Sequence, residues 1–380
     1  MSVRVLTGTD VRNITAELSV EFLQSLMEDV FALISSPESG TAYLPHRISI
    51  PMETHTALFM PARISTMGTA IKVVSVPSSS DDKRGLPAST LVLDKHTGAV
   101  KAIVNARSLT ALRNAAGSLL STTLVGPTSP THIVAFGAGE QILAHLDLHF
   151  QAFPSVKSCT IVNRSINDRV SSVTSQLAVK HPSVNFSVLA YDAFNVTGES
   201  SAKLRSYLSN TDIIITATPS NLPLFPSSWV RSGTHVILIG SYTPQMKEVD
   251  TDLIMRAIPT SFHNDETNET HSPILLVDSV SACLVEAGEI IEAGIKPSQV
   301  VEIGKFVLDK REHVRSNWRK FHPKSKGVAN DFVGPITIFK SVGVGLQDVA
   351  IAYAVVDKAE EMERSNAKGS TGVVVLDFDA

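Results

Sequence analysis

The chain has 380 residues, of which 43% are hydrophobic and 18% charged, a balance that suits a soluble globular protein too long for one compact core. Thirty-three basic residues stand against 37 acidic ones, a formal net charge of −4, which excludes a nucleic-acid binder living on phosphate contacts. The longest apolar runs, such as Val236-Ile237-Leu238-Ile239, are strand-sized and exclude a membrane span. Met1 to Val5 lacks the apolar stretch of a secretory signal, so the cytoplasm is the expected location. Two cysteines, Cys159 and Cys283, cannot build a disulfide framework, and both read as small buried hydrophobes.

In chain order, Thr7-Gly8-Thr9-Asp10 reads as a turn, followed by a helix with Phe22, Leu26, Val30 and Ile34 on one stripe. Pro37 to Gly40 ends it. Short strands are expected at 56–60, 68–76 and 89–94, with Asp94 to Gly98 as a hairpin turn and a return strand at 99–104. Such a meander predicts an antiparallel or mixed sheet. A helix over 108–120 is crowded with Ala, Gly and Ser, which lets a neighbour pack close. Gly126-Pro127-Thr128-Ser129-Pro130 then punctuates the chain, and a domain boundary is placed at 125/126.

Beyond it the pattern alternates between β and α. Strands are expected at 131–136, 158–163, 184–189, 211–216, 234–239 and 273–278, implying a parallel sheet with helices on both faces. The polar stretch 261–272 reads as an exposed loop whose His263 and His271 are solvated, and no metal site is expected. The segment 336–359 reads as a strand running into a long helix, whose Val349, Tyr353 and Val356 stripe should return to the first domain.

The run His132 to Phe136 stops at Gly137-Ala138-Gly139, and Glu140-Gln141 opens a helix. That is how a strand feeds a pyrophosphate-binding turn. Ile142 stands where the usual third glycine would be. The next strand ends Asn163-Arg164-Ser165, with no acid for a ribose hydroxyl pair; a cation among small polar groups suits a 2′-phosphate, so NADP(H) is favoured and NAD(H) possible. Thr216-Ala217-Thr218 and Gly240-Ser241 end later strands at the edge where the dinucleotide should lie.

Three cations stand out. Lys72 lies in a strand with apolar neighbours, where burial costs several kcal/mol, roughly, unless an anion or a lowered pKa relieves it. Arg113 shares a helical face with Leu109, Ala116 and Leu120. Arg47 precedes a strand, and for it a binding role and a solvated one both stand open.

These segments resemble the ornithine cyclodeaminase/μ-crystallin family. The matching pieces are Ile71-Lys72-Val73-Val74, Gly85-Leu86-Pro87, Leu93-Asp94-x-x-Thr97-Gly98, Leu109 to Ala116, Gly137-x-Gly139-x-Gln141, Val277-Asp278-Ser279 and Phe339-Lys340-Ser341-x-Gly343, in family order. The resemblance implies a Rossmann-type doubly wound NADP-binding domain over 126–334. It also implies a mixed α/β substrate-binding and dimerisation domain over 1–125, completed by 335–380, and a homodimer. Lys72 and Arg113 match the family's substrate-binding positions and are the catalytic candidates. With Arg47 they describe a pocket for a small carboxylate. One departure is informative. Cyclodeaminases of the family place an aspartate where Tyr242 falls here, and tyrosine cannot pair a side-chain ammonium as a carboxylate does. The expected activity is therefore reduction of a cyclic imino acid such as pyrroline- or piperideine-2-carboxylate. An NAD-dependent cyclodeaminase or amino-acid dehydrogenase and a non-catalytic NADPH-binding protein are the alternatives. Asp348 matches a family position and reads as structural.

Overall fold

The structure, a computed structural model, describes residues 2–36, 40–78, 85–194, 198–259, 273–312, 332–365 and 369–378. The loop 261–272 lies outside them. The chain forms two compact units, Met1–Arg113 with Gly343–Ala380, and Asn114–Val342.

In the first unit the elements are β1 (Val3–Leu6), α1 (Gly8–Thr15), α2 (Val20–Ser35), β2 (Ala42–Tyr43), β3 (Ile48–Pro51), β4 (His55–Ile64), β5 (Gly68–Pro77), β6 (Ala88–Leu93) and β7 (Val100–Asn105). Next comes α3 (Arg107–Val125), within which the division falls after Arg113. Thr7 to Asp10 is a helix start, not a turn. The Thr7 hydroxyl accepts from Asp10 N at 3.3 Å and the Asp10 carboxylate accepts from Thr7 N at 2.8 Å, a capping box that satisfies two donors at once. The buried stripe of α2 is Leu23, Leu26, Met27, Val30 and Phe31, and Phe22 is exposed. The expected stripe was turned by one position, because 23/26/27/30/31 is the fuller 3.6-residue pattern. The hairpin turn is held by Asp94, whose Oδ1 accepts from His96 N, Thr97 N and Thr97 Oγ1.

The second unit runs β8 (His132–Phe136), α4 (Glu140–Ala152), β9 (Ser158–Asn163), α5 (Asp168–Lys180), β10 (Asn185–Ala190), α6 (Glu199–Leu208), β11 (Ile213–Thr216) and β12 (His235–Leu238). It continues through α7 (Thr251–Met255), β13 (Ile274–Val277), α8 (Val280–Glu286), α9 (Gly288–Glu292), β14 (Val301–Glu302), α10 (Ile303–Glu312) and β15 (Thr337–Lys340). The chain then re-enters the first unit as α11 (Gly345–Arg364) and β16 (Val373–Val375).

The first unit's sheet has the order β16-β1-β7-β6-β5-β4-β2, with β3 on β4, and is antiparallel except for β1 on β7. The second sheet is parallel throughout, in the order β10-β9-β8-β11-β12-β15-β13-β14. Its strands β11 and β12 are buried at every residue, as a sheet covered on both faces requires. The order reverses between β8 and β11, the crevice where such sheets bind ligands at their carboxyl ends.

The units divide at 113/114 and 342/343, where the sequence analysis placed the boundaries at 125/126 and 334/335. Side-chain bonds explain the first shift and strand pairing the second. Ser118 and Thr122 of α3 bond to His145 and His149 of α4 at 2.9 and 3.0 Å, and β15 pairs with β12 and β13 inside the second sheet.

Candidate active site

A candidate dinucleotide-binding turn lies at the switch point of the second unit. Gly137 has φ +112°, the left-handed region that favours glycine, and a Cβ there would lie 3.0 Å from Ala217 O. Its amide donates to Val162 O at 2.9 Å. Gly139 is the N-cap of the 13-residue α4 and uses no side-chain cap. A Cβ on Gly139 would point into open space with nothing within 4 Å. Open space over a helix N-terminus with uncapped amides of Glu140 and Gln141 is a cradle for a pyrophosphate. Ile142 is fully buried beneath the turn. At the end of β9 the Asn163 side-chain amide donates to Ser165 O at 2.8 Å, and Arg164 and Ser165 are exposed.

The loops after β11 and β12 are joined by Glu248, which the sequence reading missed. Its fully buried carboxylate accepts from Thr216 Oγ1 (2.8 Å), Thr218 N (2.7 Å), Thr218 Oγ1 (2.9 Å) and Gly240 N (2.7 Å). Burial pushes its pKa up, and the Lys340 ammonium opposes that shift. Thr216 and Ser241 are fully buried, and Ser241 Oγ donates to Met246 O at 2.7 Å. Their hydroxyls therefore hold the loops in shape, while Ala217 and Thr218 are half-buried at the strand end. Lys340, on β15, donates to Ser241 O at 2.5 Å and pairs with Glu289 at 3.0 Å, all of it buried. Tyr242 is half-buried in the loop after β12. Glu248 carried no signal in sequence, because its partners come from two other stretches, Thr216 to Thr218 and Gly240.

A candidate carboxylate-binding group lies in the first unit. Lys72 is on the buried face of β5, with Ala70 and Val74 two residues to either side. Arg113 is 2% exposed on α3. Asp348 of α11 joins them: Oδ2 lies 2.8 Å from Lys72 Nζ and Oδ1 3.1 Å from Arg113 Nε. Asp348 is thus the direct partner of both cations, more than the scaffold residue expected. The anion that a buried strand lysine demands was foreseeable; its address on the last helix was not. Gln347 Oε1 accepts from Arg113 Nη1 at 2.7 Å. Burial pushes Lys72 down to about 8; the Asp348 carboxylate opposes this, and the Arg113 and Arg47 guanidiniums add to it. Arg47, half-buried ahead of β3, is therefore within electrostatic reach of Lys72.

Lys72 and Arg113 are two buried cations that share the carboxylate of Asp348. Cations held side by side in this way can take a small carboxylate through charge-assisted hydrogen bonds. Gly343 braces the guanidinium. Its φ is +80°, and a Cβ there would come 2.6 Å from Arg113 Nη1. Gly343→Ala should displace Arg113 and raise the KM for a carboxylate substrate about tenfold, roughly the loss of one charge-assisted hydrogen bond; steady-state kinetics with the fold checked by circular dichroism would test it. Among the described residues no group of three His, Cys, Asp or Glu is placed to hold a metal, and no described helix is long and apolar enough to cross a membrane. Cys159 and Cys283 are buried and free, and burial pushes both thiols up, away from nucleophilic use.

A doubly wound parallel sheet with a Gly-x-Gly turn at its switch point defines a dinucleotide-binding α/β protein, here carrying a separate mixed sheet with a buried cation pair. The chain belongs to the ornithine cyclodeaminase/mu-crystallin family, whose model matches residues 9–363. It is similar to an uncharacterized cyclodeaminase of Dictyostelium discoideum, 27% identical over 93% of this chain and 96% of that protein. It is also similar to the Delta(1)-pyrroline-2-carboxylate reductase of Colwellia psychrerythraea, 26% identical over 73% of this chain and 75% of that one. Among solved structures, Thermococcus litoralis Delta(1)-pyrroline-2-carboxylate reductase in complex with NADH and L-proline matches with a TM-score of 0.73. That match has 22% identity and covers 96% and 98% of the two chains, and it carries the fold alone.

Proposed function

We propose that the protein is an NADPH-dependent reductase of small cyclic imino acids, such as pyrroline- or piperideine-2-carboxylate, acting as a cytoplasmic homodimer. The observation that carries this reading is the buried Lys72–Asp348–Arg113 group, whose two adjacent cations suit a small carboxylate. Arg113, held by Asp348 and Gln347, presents a planar fork to that carboxylate, and Arg47 adds a second guanidinium. Lys72, with its pKa near 8, carries a proton at neutral pH and can give it up, so it can supply the proton that the imine nitrogen takes. A bound dihydronicotinamide supplies the hydride that adds to the imine carbon. The C=N bond becomes C–N, with one proton added at nitrogen, and the protein's part is to orient the carbon and fix the charge around it.

The residues of the second unit fit such a dinucleotide: the open cradle over Gly139, the helix N-terminus of α4, and exposed Arg164. Arg164 without a neighbouring acid at the end of β9 favours the 2′-phosphate. Arg164→Ala should raise the KM for NADPH at least about tenfold and leave that for NADH within about twofold, as expected for one lost charge-assisted contact; equal effects on both would assign Arg164 another role. Tyr242, half-buried where a cyclodeaminase needs a carboxylate, favours imine reduction over release of ammonia. The deciding experiment is NADPH oxidation with pyrroline-2- and piperideine-2-carboxylate, beside ammonia release from ornithine, lysine and alanine. Turnover of the imino acids without ammonia release supports the reading. NADPH binding with no turnover of either imino acid overturns it.

A further inference from the structure

Cross-strand register places a second row of side chains beside Lys72. Met60, Lys72 and Thr90 are Cα partners across β4, β5 and β6. Two residues further along, Leu58, Val74 and Ala88 are partners in the same way. Side chains two apart on a strand share a face, about 7 Å apart. Val74, Ala88 and Ala106 form a small apolar cluster of their own, with half-buried Leu58 packed against it. The hydrogen bonds and the ion pair of α11 with this sheet lie in the other direction. Gly345 lies beside Ala62, Asp348 reaches Lys72, and the Tyr353 hydroxyl reaches Thr69 O and Leu93 O. The row beyond Lys72 is thus apolar and continues the same sheet face away from those contacts.

Resting on the carboxylate site above, we propose that Leu58, Val74 and Ala88 form the subsite for the rest of the substrate, which is therefore an uncharged, apolar ring or chain. A ligand whose carboxylate is held at Lys72 and Arg113 extends its carbon skeleton over neighbouring atoms on the same face. A second charge there would be desolvated against Leu58 and Val74 without a partner, which is costly. An apolar ring would instead bury its methylenes against them. Leu58 sets the depth of this subsite, being the largest and most exposed of the three.

The test uses the full chain with NADPH. Wild type should turn over pyrroline-2-carboxylate with a kcat/KM at least about a hundredfold above that for iminosuccinate, which carries a second carboxylate, as expected where a site leaves a charge unpaired. Leu58→Asp should lower kcat/KM for the ring substrate by a similar factor, and Leu58→Met should retain it. Leu58→Ala should shift preference from the five- towards the six-membered ring by about tenfold, the worth of a methylene or two in an apolar pocket. Binding of pyrrole-2-carboxylate, followed by fluorescence in wild type and Leu58→Asp, separates the two readings. If imino acids turn over but Leu58→Asp leaves kcat/KM within twofold, the subsite is wrong and the function stands. If no imino acid turns over but the ring carboxylate binds in a Leu58-dependent way, the subsite stands and the function falls. Neither turnover nor Leu58-dependent binding overturns both.

Discussion

Asp348→Ala should be the most damaging single substitution in the first unit. It removes the carboxylate that lies 2.8 Å from Lys72 and 3.1 Å from Arg113, and leaves two buried cations close to each other. Breaking a buried pair by deleting one partner costs about 3–5 kcal/mol, so the urea midpoint should fall by a large fraction of the total stability. Asp348→Asn keeps the volume and two hydrogen-bonding atoms, and isolates the charge. In the wild type the Lys72 ammonium is lost as pH rises through about 8, so kcat/KM for an imino acid should fall above that pH. Asp348 is the partner that raises the Lys72 pKa against burial. Removing its charge moves the basic limb of the pH profile to lower pH and cuts kcat/KM at neutrality by about two orders of magnitude, the typical contribution of a positioned proton donor. A purely structural Asp348 would lower the urea midpoint and leave the basic limb where it was.

The second large effect is acid lability of the second unit, from three histidines that are fully buried and neutral. On α4, His145 Nδ1 donates to Gln141 O and His149 Nδ1 to His145 O, each at 2.7 Å. Their Nε2 atoms then accept from Ser118 and Thr122 of α3, at 2.9 and 3.0 Å. His235 of β12 lies between Ser121 Oγ (3.1 Å) and Thr337 Oγ1 (2.8 Å). Burial pushes the three down to about 3, 4 and 3, and neighbouring histidines add to it for His145 and His235. A depressed histidine pKa means that the unfolded chain binds more protons than the folded one. The stability is fully present above the ordinary value of 6.5 and is lost as pH falls below it towards the folded values. Three such groups give a slope of up to about 4 kcal/mol per pH unit near pH 5. Urea midpoints measured from pH 7 to pH 4.5 should fall steeply, with a proton uptake on unfolding near three. Substituting His149 by Asn should bring that uptake towards two. A midpoint flat between pH 6.5 and 4.5 would mean that these imidazoles are charged or hydrated in the native protein.

Much of the architecture was legible because it rests on local periodicity. The alternation of apolar strands with helices from residue 131 onward announced a parallel sheet, and all six strands expected there are present, as β8 to β13. The apolar run into Gly137-x-Gly139 was legible as a strand entering a glycine turn, since only a glycine accepts φ +112° beside Ala217 O. Lys72 and Arg113 were visible as charges at positions whose neighbours are apolar. Short strands near the chain ends escaped. β1 and β16 have three or four residues each and pair with one another at Val3–Val375 from opposite ends of the chain; no local pattern signals such a partner.

What the sequence by itself determined is therefore the chemistry of the parts: a dinucleotide turn, a strand end without an acid, two cations too apolar in context to be solvated, and a tyrosine in place of a carboxylate. The tertiary structure alone decided how those parts are held. Asp348 lies 276 positions from Lys72 and 235 from Arg113 (348 − 72 and 348 − 113), yet it bonds both. Glu248 gathers donors from Thr216, Thr218 and Gly240, and three histidines find hydroxyls on one face of α3. The physical reason is common to all three. A buried polar group must be satisfied, but sequence shows only the need and not the partner, because hydrogen bonds and ion pairs act over about 3 Å of space irrespective of separation along the chain.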